Sequence, residues 1–223
     1  MLEWSKTLGP SYTVLRVRLE PGEEVWSEPG AMMLVRGEVE VKTTSGGLGR
    51  AFLRRLAGGE SFFFNVFRAE SPAEVWLVPG IPGDIEAIEL HGDEWVIQDT
   101  SYLAHYGDVE VSAGFRGLRG LVAEGELFWL KARGRGVVWV NSYGGIARVD
   151  VAPGERVIVD NFHFVAMPAS TEYSVRKLGG LKTLVFGGEG LVIEVEGPTT
   201  LYLQTRTLPP LARLLARFLP RHR

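Results

Sequence analysis

Cysteine is absent from the 223 residues. Disulfides, thiolate nucleophiles and cysteine metal sites are excluded together. The absence is compatible with a reducing compartment, and a cytoplasmic protein is expected. There is no surplus of positive charge either: 24 Lys and Arg stand against 27 Asp and Glu, for a net charge of -3. Such a chain offers no general basic field, so nucleic acid is not an expected partner. Long apolar runs are missing as well. The opening MLEWSKTLGP has no apolar core or cleavage signature, and no stretch reaches the roughly 18 apolar residues of a membrane-spanning helix. No glycine-rich stretch ends in Gly-Lys-Ser/Thr, which excludes a Walker loop, and no Gly-x-Ser-x-Gly elbow is present for a serine nucleophile.

What the chain does have is internal repetition. "AEGELFWLKARGRGVVWVNS", from Ala123, aligns without a gap on "FGGEGLVIEVEGPTTLYLQT", from Phe186, at a shift of 63 residues. Glu126 falls on Glu189, Gly134 on Gly197, Trp139 on Tyr202 and Asn141 on Gln204. A third copy, "AGGESFFFNVFRAESPAEVWLV", starts at Ala57 and places Glu60 with Glu126 and Trp76 with Trp139. A second landmark recurs in step: "LEPGEEVWSEPGAMM", "ELHGDEWVIQDTSYL" and "DVAPGERVIVDNFHF", with turn glycines Gly22, Gly92 and Gly154. The distance from turn glycine to glutamate is 38, 34 and 35 residues in the three copies. Two landmarks in one order, three times, predict three units: residues 1–80 (repetition from about residue 8), 81–142 and 143–207, with a basic tail over 208–223. The units are expected to share core surface and to behave as one compact domain.

Short alternating segments bounded by Gly and Pro predict an all-β protein of small β-sandwich units. Expected strands include Tyr12–Leu19, Met33–Thr43, Ile85–Glu89, Glu94–Gln98, Leu127–Ala132, Val137–Ser142 and Arg156–Asp160. Two pieces have helical spacing: a short helix near 48–56, and a C-terminal helix near 209–219 that carries Leu211, Leu214, Leu215 and Phe218 on one face.

Several motifs together carry a family resemblance. "EPGAM" from Glu28, "GGLGRAFLRRLAGGESFFFNVF" from Gly46, "PGDI" from Pro82, "SYLA" from Ser101, "NSYGGI" from Asn141, "GGLKTLVFGGEGLV" from Gly179 and "LYLQTRTL" from Leu201 span nearly the whole chain. The chain resembles the Aim-twenty-four mitochondrial biogenesis family, whose prokaryotic members are of unknown function. The resemblance implies a fold similar to the tryptophan RNA-binding attenuator protein, with triplicated β-sandwich units and a homo-oligomer, with a trimer favoured. It brings no catalytic residue and no cofactor. The middle copy departs from the pattern by reading Ala-Glu-Gly-Glu in place of Gly-Gly-Glu-Gly.

Chemistry-bearing residues are few, and each has a structural reading beside the functional one. Glu60, Glu126 and Glu189 would hold a cation if the units surround a common axis; rim positions or arginine partners explain them more simply. The repeated trio Glu28, Gln98 and Asp160 invites the same idea, weakened by its uncharged member. His105 and His163 are the two histidines that could serve a cupin-type metal site, against hydrogen-bonded histidines at a sheet edge. Ser142 reads as a turn residue. The tail arginines Arg213, Arg217, Arg221 and Arg223, beside an apolar stripe, could meet an anionic membrane or a protein groove, against a helix packed on its own chain or a neighbouring subunit. The expectation is a non-enzymatic, self-assembling structural or interaction protein. The alternatives are a small-molecule or metal-binding module, cupin-like at the extreme, and a weak RNA binder by kinship of fold.

Overall fold

In the computed structural model, residues 2–45, 63–113, 129–177 and 191–219 are described below. Their first part holds β1 (Glu3–Thr7), β2 (Val14–Leu19), β3 (Glu24–Ser27), β4 (Met32–Arg36), β5 (Val39–Thr44), β6 (Phe64–Ala69) and β7 (Ala73–Leu77). Three long strands follow: β8 (Ile85–Gln98), β9 (Tyr102–Ala113) and β10 (Trp129–Asn141). Then come β11 (Ile146–Val151), β12 (Arg156–Asp160), β13 (Phe164–Pro168), β14 (Glu172–Lys177), β15 (Leu191–Glu196), β16 (Thr199–Gln204) and the helix α1 (Leu208–Leu215). The protein is all-β with a short C-terminal helix. Strand alternation follows the pleat: Leu15, Val17 and Leu19 are buried in β2 while Arg16 and Arg18 point away. The helix expected near 48–56 lies outside the described residues.

Several expected strand boundaries move. Ile85–Glu89 and Glu94–Gln98 are one strand, β8, and the two segments on either side of Arg133–Arg135 are one strand, β10. Gly92 is therefore no hairpin turn. It takes φ +104° inside β8, across from Gly134 at φ +128° in β10, where the register slips by one residue. A bulge of this kind bends a strand without ending it, and a Cβ on Gly134 would lie 2.0 Å from the Asp108 carbonyl. In the opposite sense, Met33–Thr43 divides at Gly37 (φ +87°) into β4 and β5. β1 and β3 were not among the expected strands; β1 has no apolar alternation and β3 has only four residues.

Pairing follows one order in all three sequence segments. β2–β7–β4, the near halves of β8–β10–β9, and β11–β16–β13 are each joined antiparallel in that order. Each of these ladders slips at one aligned residue: Met33 between Met32 and Leu34, Leu103 between Tyr102 and Ala104, Val165 between Phe164 and Ala166. A second set, β3–β6–β5, the far halves of β8–β10–β9, and β12–β15–β14, recurs likewise. Adjacent segments are stitched by two further ladders. β3 pairs with β9 through Val25–Tyr106, Trp26–His105 and Ser27–Ala104. β8 pairs with β13 through Trp95–Pro168, Val96–Met167 and Ile97–Ala166.

The cores are shared across segment boundaries. The first cluster combines Leu15, Val75 and Leu77 with Ile85, Leu103 and Trp139 of the second segment. The second combines Val138 and Leu130 with Phe64 on one side and Val165 and Tyr202 on the other. The third unites Ile193 and Leu201 with Val96 and Trp129. Each segment fills its interior with a neighbour's side chains, as expected for units too small to bury a sufficient core alone.

Candidate functional site

His105 sits mid-strand in β9, where the β3–β9 ladder closes over it, and is 3% exposed. Its ring stacks on Trp26, with centroids 5.4 Å apart and planes at 23°, and meets Phe64 edge-on. Nδ1 shares a 2.7 Å hydrogen bond with the Tyr102 hydroxyl. Burial drives the imidazole down to about 3, so it is neutral at ordinary pH. Tyr102 is itself fully buried, its phenol pushed up by burial and by the nearby Glu28 carboxylate. Glu28, one residue beyond β3, is pushed up to about 8 by burial. The arrangement is an aromatic box around a neutral histidine, with a carboxyl group that favours its protonated form.

His163 lies elsewhere, in a single 3₁₀ turn between β12 and β13. Its Nδ1 is 2.6 Å from the Gln204 carbonyl oxygen. The Gln204 side chain donates to the Phe162 carbonyl at 2.6 Å and accepts from the Tyr143 amide at 2.9 Å. Asp160 caps the same turn by accepting from the Phe162 amide at 2.9 Å. Tyr102, Trp26 and Phe64 meet His105 while Gln204 meets His163, and among the described residues no group of three or more His, Asp or Glu side chains is placed to hold a metal ion. Both histidines are hydrogen-bonded, but His105 lies on an interior strand of the nine-stranded sheet and not at the sheet edge expected for it. Of the trio Glu28, Gln98 and Asp160, only Asp160 makes a turn-capping bond. Glu60, Glu126 and Glu189 lie outside the described residues.

The motif residues of "PGDI" and "NSYGGI" meet where the segments join. The Gly83 carbonyl accepts from the Thr13 amide at 3.1 Å, the Pro82 carbonyl from Gly144, and the Gly144 carbonyl from Asp84 at 3.0 Å. Asp84 Oδ1 accepts from the Thr13 hydroxyl and from the Ile85 amide, both at 2.8 Å. Ser142, fully buried, donates to the Gly144 carbonyl at 2.6 Å. The Thr205 hydroxyl then accepts from Gly145 at 2.9 Å. Ser142 is a turn residue, as its setting in the sequence predicts, and the whole knot ties residues 13, 83, 144 and 205 together.

Exposed apolar side chains occur at Leu8 and Tyr12 ahead of β2, at Val41 of β5 and Phe63 beside β6, and in two further groups. Along sheet edges, Met32 and Met33 of β4 are 50% and 54% exposed and Ile158 of β12 is 52% exposed. In the tail, no residue of α1 is buried; Leu214 and Leu215 are each 50% exposed, and Phe218 and Leu219 just beyond are more so. Arg213 and Arg217 are exposed on the other side of the turn. Packing of the tail on its own chain, one of its expected roles, is not what these residues do. Arg221 and Arg223 lie outside the described residues. An open groove of about 440 Å³ is lined by Leu2, Trp4, Leu90, Tyr106 and Val137 together with Glu89, His91 and Arg135. Reading the sequence missed Met32, Met33 and Ile158, because their counterparts Tyr102, Leu103 and Val96 are buried by strand pairing that the local pattern does not record.

The strand order is that of an all-β protein. The family described as Mitochondrial biogenesis AIM24 matches residues 5–206, and the chain belongs to it. An uncharacterised protein of Streptococcus pyogenes serotype M6 is 27% identical over 218 residues, covering 94% of this chain and 88% of that protein. The crystal structure of a Streptococcus pyogenes protein superimposes with a TM-score of 0.82 at 27% identity, covering 98% of this chain and all of that one. Among the described residues no helix is long and apolar enough to cross a membrane.

Proposed function

We propose that this protein is a non-enzymatic, self-assembling structural or interaction protein of the cytoplasm, built from three copies of one two-sheet unit over residues 8–80, 81–142 and 143–207. The single observation that carries this reading is the recurrence of one junction: β3 on β9 and β8 on β13 pair in the same register, at aligned residues. A unit designed to accept another unit by strand addition is an assembly module, since main-chain pairing supplies affinity without specific chemistry. Homo-oligomers of closed symmetry are the common outcome, and a trimer is the state favoured. Kinship with the ring-forming attenuator fold belongs to the same proposal. Light scattering and native mass spectrometry of the full chain test it. A discrete oligomer without stoichiometric metal or small molecule supports it; a monomer at micromolar concentration, or a retained metal, overturns it.

The tail favours a second, additional reading. Every acidic residue precedes Thr207, so residues 208–223 contribute four arginines with no acid, while the rest of the chain holds 20 basic against 27 acidic residues. An apolar face with arginines opposite it suits peripheral contact with an anionic bilayer, where apolar burial and charge attraction add. Co-sedimentation with phosphatidylserine vesicles that is lost on deleting 209–223 supports this reading. Equal binding to neutral vesicles, or no binding, excludes it.

A further inference from the structure

We infer that β4 and β12 are the two halves of a head-to-tail contact between copies of this chain, with β12 of one copy pairing antiparallel with β4 of the next. The inference rests on the three-unit reading above and specifies the surface through which assembly occurs.

The argument starts from strand neighbours. β9 has β10 on one side and β3 on the other; β13 has β16 on one side and β8 on the other. β4, their counterpart in the first segment, has β7 on one side and, among the described residues, ends its sheet. β3 and the far half of β8 each have a second partner across the junction, whereas β12, their counterpart in the third segment, pairs among the described residues with β15 alone. Two junctions inside the chain are therefore made, and one half of the same junction is left open at each end. Within one chain no ladder joins β4 to β12.

Burial follows the same division. Tyr102 and Leu103 are fully buried, and Phe164 and Val165 nearly so; Met32 and Met33 at the aligned positions are 50% and 54% exposed. Val96 is 5% exposed under β13, while its counterpart Ile158 is 52% exposed. The other edge strands are protected differently. β1, β5, β11 and β14 carry charged or hydroxyl side chains within the strand, as in Lys6, Lys42, Arg148 and Ser174. β4 reads MMLVR and β12 reads RVIVD, with charge only at their ends. An apolar strand edge lacking internal charge is a template for another strand.

The occupant follows from the register. Carrying Trp26–His105 and Val96–Met167 one step onward pairs Ile158 with Val35 of the next copy. The flanking pairs are then Val159 with Leu34 and Val157 with Arg36. Each apolar side chain of one edge meets an apolar side chain of the other, save the last. The contact is heterologous, so it closes into a ring when the rotation per copy permits.

Two measurements decide the matter. Met33→Glu and Ile158→Glu each place a charge on one open edge, at positions already half exposed. Each variant alone is expected to lose the oligomer, while an equimolar mixture of the two forms a dimer through the one intact pair of edges. In the cysteine-free background, a double variant carrying Val35→Cys and Ile158→Cys is expected to form oxidised chains linked between copies, because directly opposed antiparallel residues lie within disulfide reach. An unsubstituted oligomer whose mass survives both glutamate variants overturns this contact and leaves self-assembly standing. A mixture that stays monomeric, or a disulfide formed only within one chain, overturns it too. An unsubstituted chain that is monomeric overturns self-assembly and this contact together.

Discussion

The middle segment and the two outer segments share landmarks but not surroundings. In the middle, β8 and β10 run for 14 and 13 residues without a break, and β9 for 12. In the outer segments the same path is cut into strands of four to six residues. Trp139 is fully buried in the middle, while its counterpart Trp76 is half-buried beneath the Arg16 guanidinium, 4.6 Å from its ring centroid, and Tyr202 is 8% exposed. Trp139 joins a core cluster with the first segment and Tyr202 one with the middle segment, whereas Trp76 belongs to no core cluster, and like residues acquire unlike burial for that reason.

The sharpest way to break this comparison is at the knot between segments. A Cβ on Gly83 would come 1.6 Å from the Ser142 carbonyl oxygen, which is backbone and cannot move aside. Gly83→Ala is expected to cost about 3 kcal/mol or more, in the range reserved for severe steric defects. Gly22→Ala, with nothing within 4 Å of the added Cβ but φ at +90°, is expected to cost about 1 kcal/mol. Urea denaturation of both variants checks the ranking.

The aromatic counterparts come next. Trp139→Ala removes a buried indole that meets Trp4 edge-on at 5.8 Å, and is expected to cost about 3–5 kcal/mol. Trp76→Ala, more exposed, is expected to cost less than half as much. Equal losses would show that both positions are equally enclosed in solution.

A smaller effect concerns pH. Glu28 is raised to about 8 in the folded protein from 4.5, so its contribution is fully present below pH 4.5 and is lost as pH rises through 8. His105 is lowered to about 3 from 6.5, so its contribution is present above pH 6.5 and lost as pH falls toward 3. Glu28→Gln is expected to remove the loss of stability that sets in above pH 4.5 and is complete near pH 8. His105→Phe, which keeps the stack on Trp26, is expected to flatten the acid side alone. Denaturation midpoints between pH 4 and 9 separate the two; an unchanged profile in Glu28→Gln would place that carboxyl in water.

The smallest expected change is at the open edge. Ile158→Ala, at a half-exposed position, is expected to alter the stability of the isolated chain by no more than about 0.5 kcal/mol. Val96→Ala, at the aligned covered position, is expected to cost about 1–2 kcal/mol or more. A large loss for Ile158→Ala in a monomeric sample would mean that its edge is covered within one chain.

Much of this was legible in the residues. Period-two alternation and Gly/Pro punctuation predict the strands, and the turn glycines Gly22 and Gly154 do sit at positive φ between strands. Gly92 escaped that reading because a positive-φ glycine serves a hairpin or a bulge equally well, and the choice depends on Gly134 across the ladder. His105 and His163 were legible as hydrogen-bonded histidines, but the partners of His105 were not: Trp26 and Phe64 reach it from strands far away in the chain.

The sequence by itself determined the class of fold, the family and the amphipathic C-terminal helix. Each of these is written in local spacing, which the backbone enforces within a few residues. Only the tertiary structure decided which strand edges are covered, which carboxyl is withdrawn from water and which apolar side chains stay outside. Those are outcomes of pairing between strands up to some 80 residues apart, as in Trp26 with His105, and the local pattern of a strand is the same whether or not a partner lies beside it.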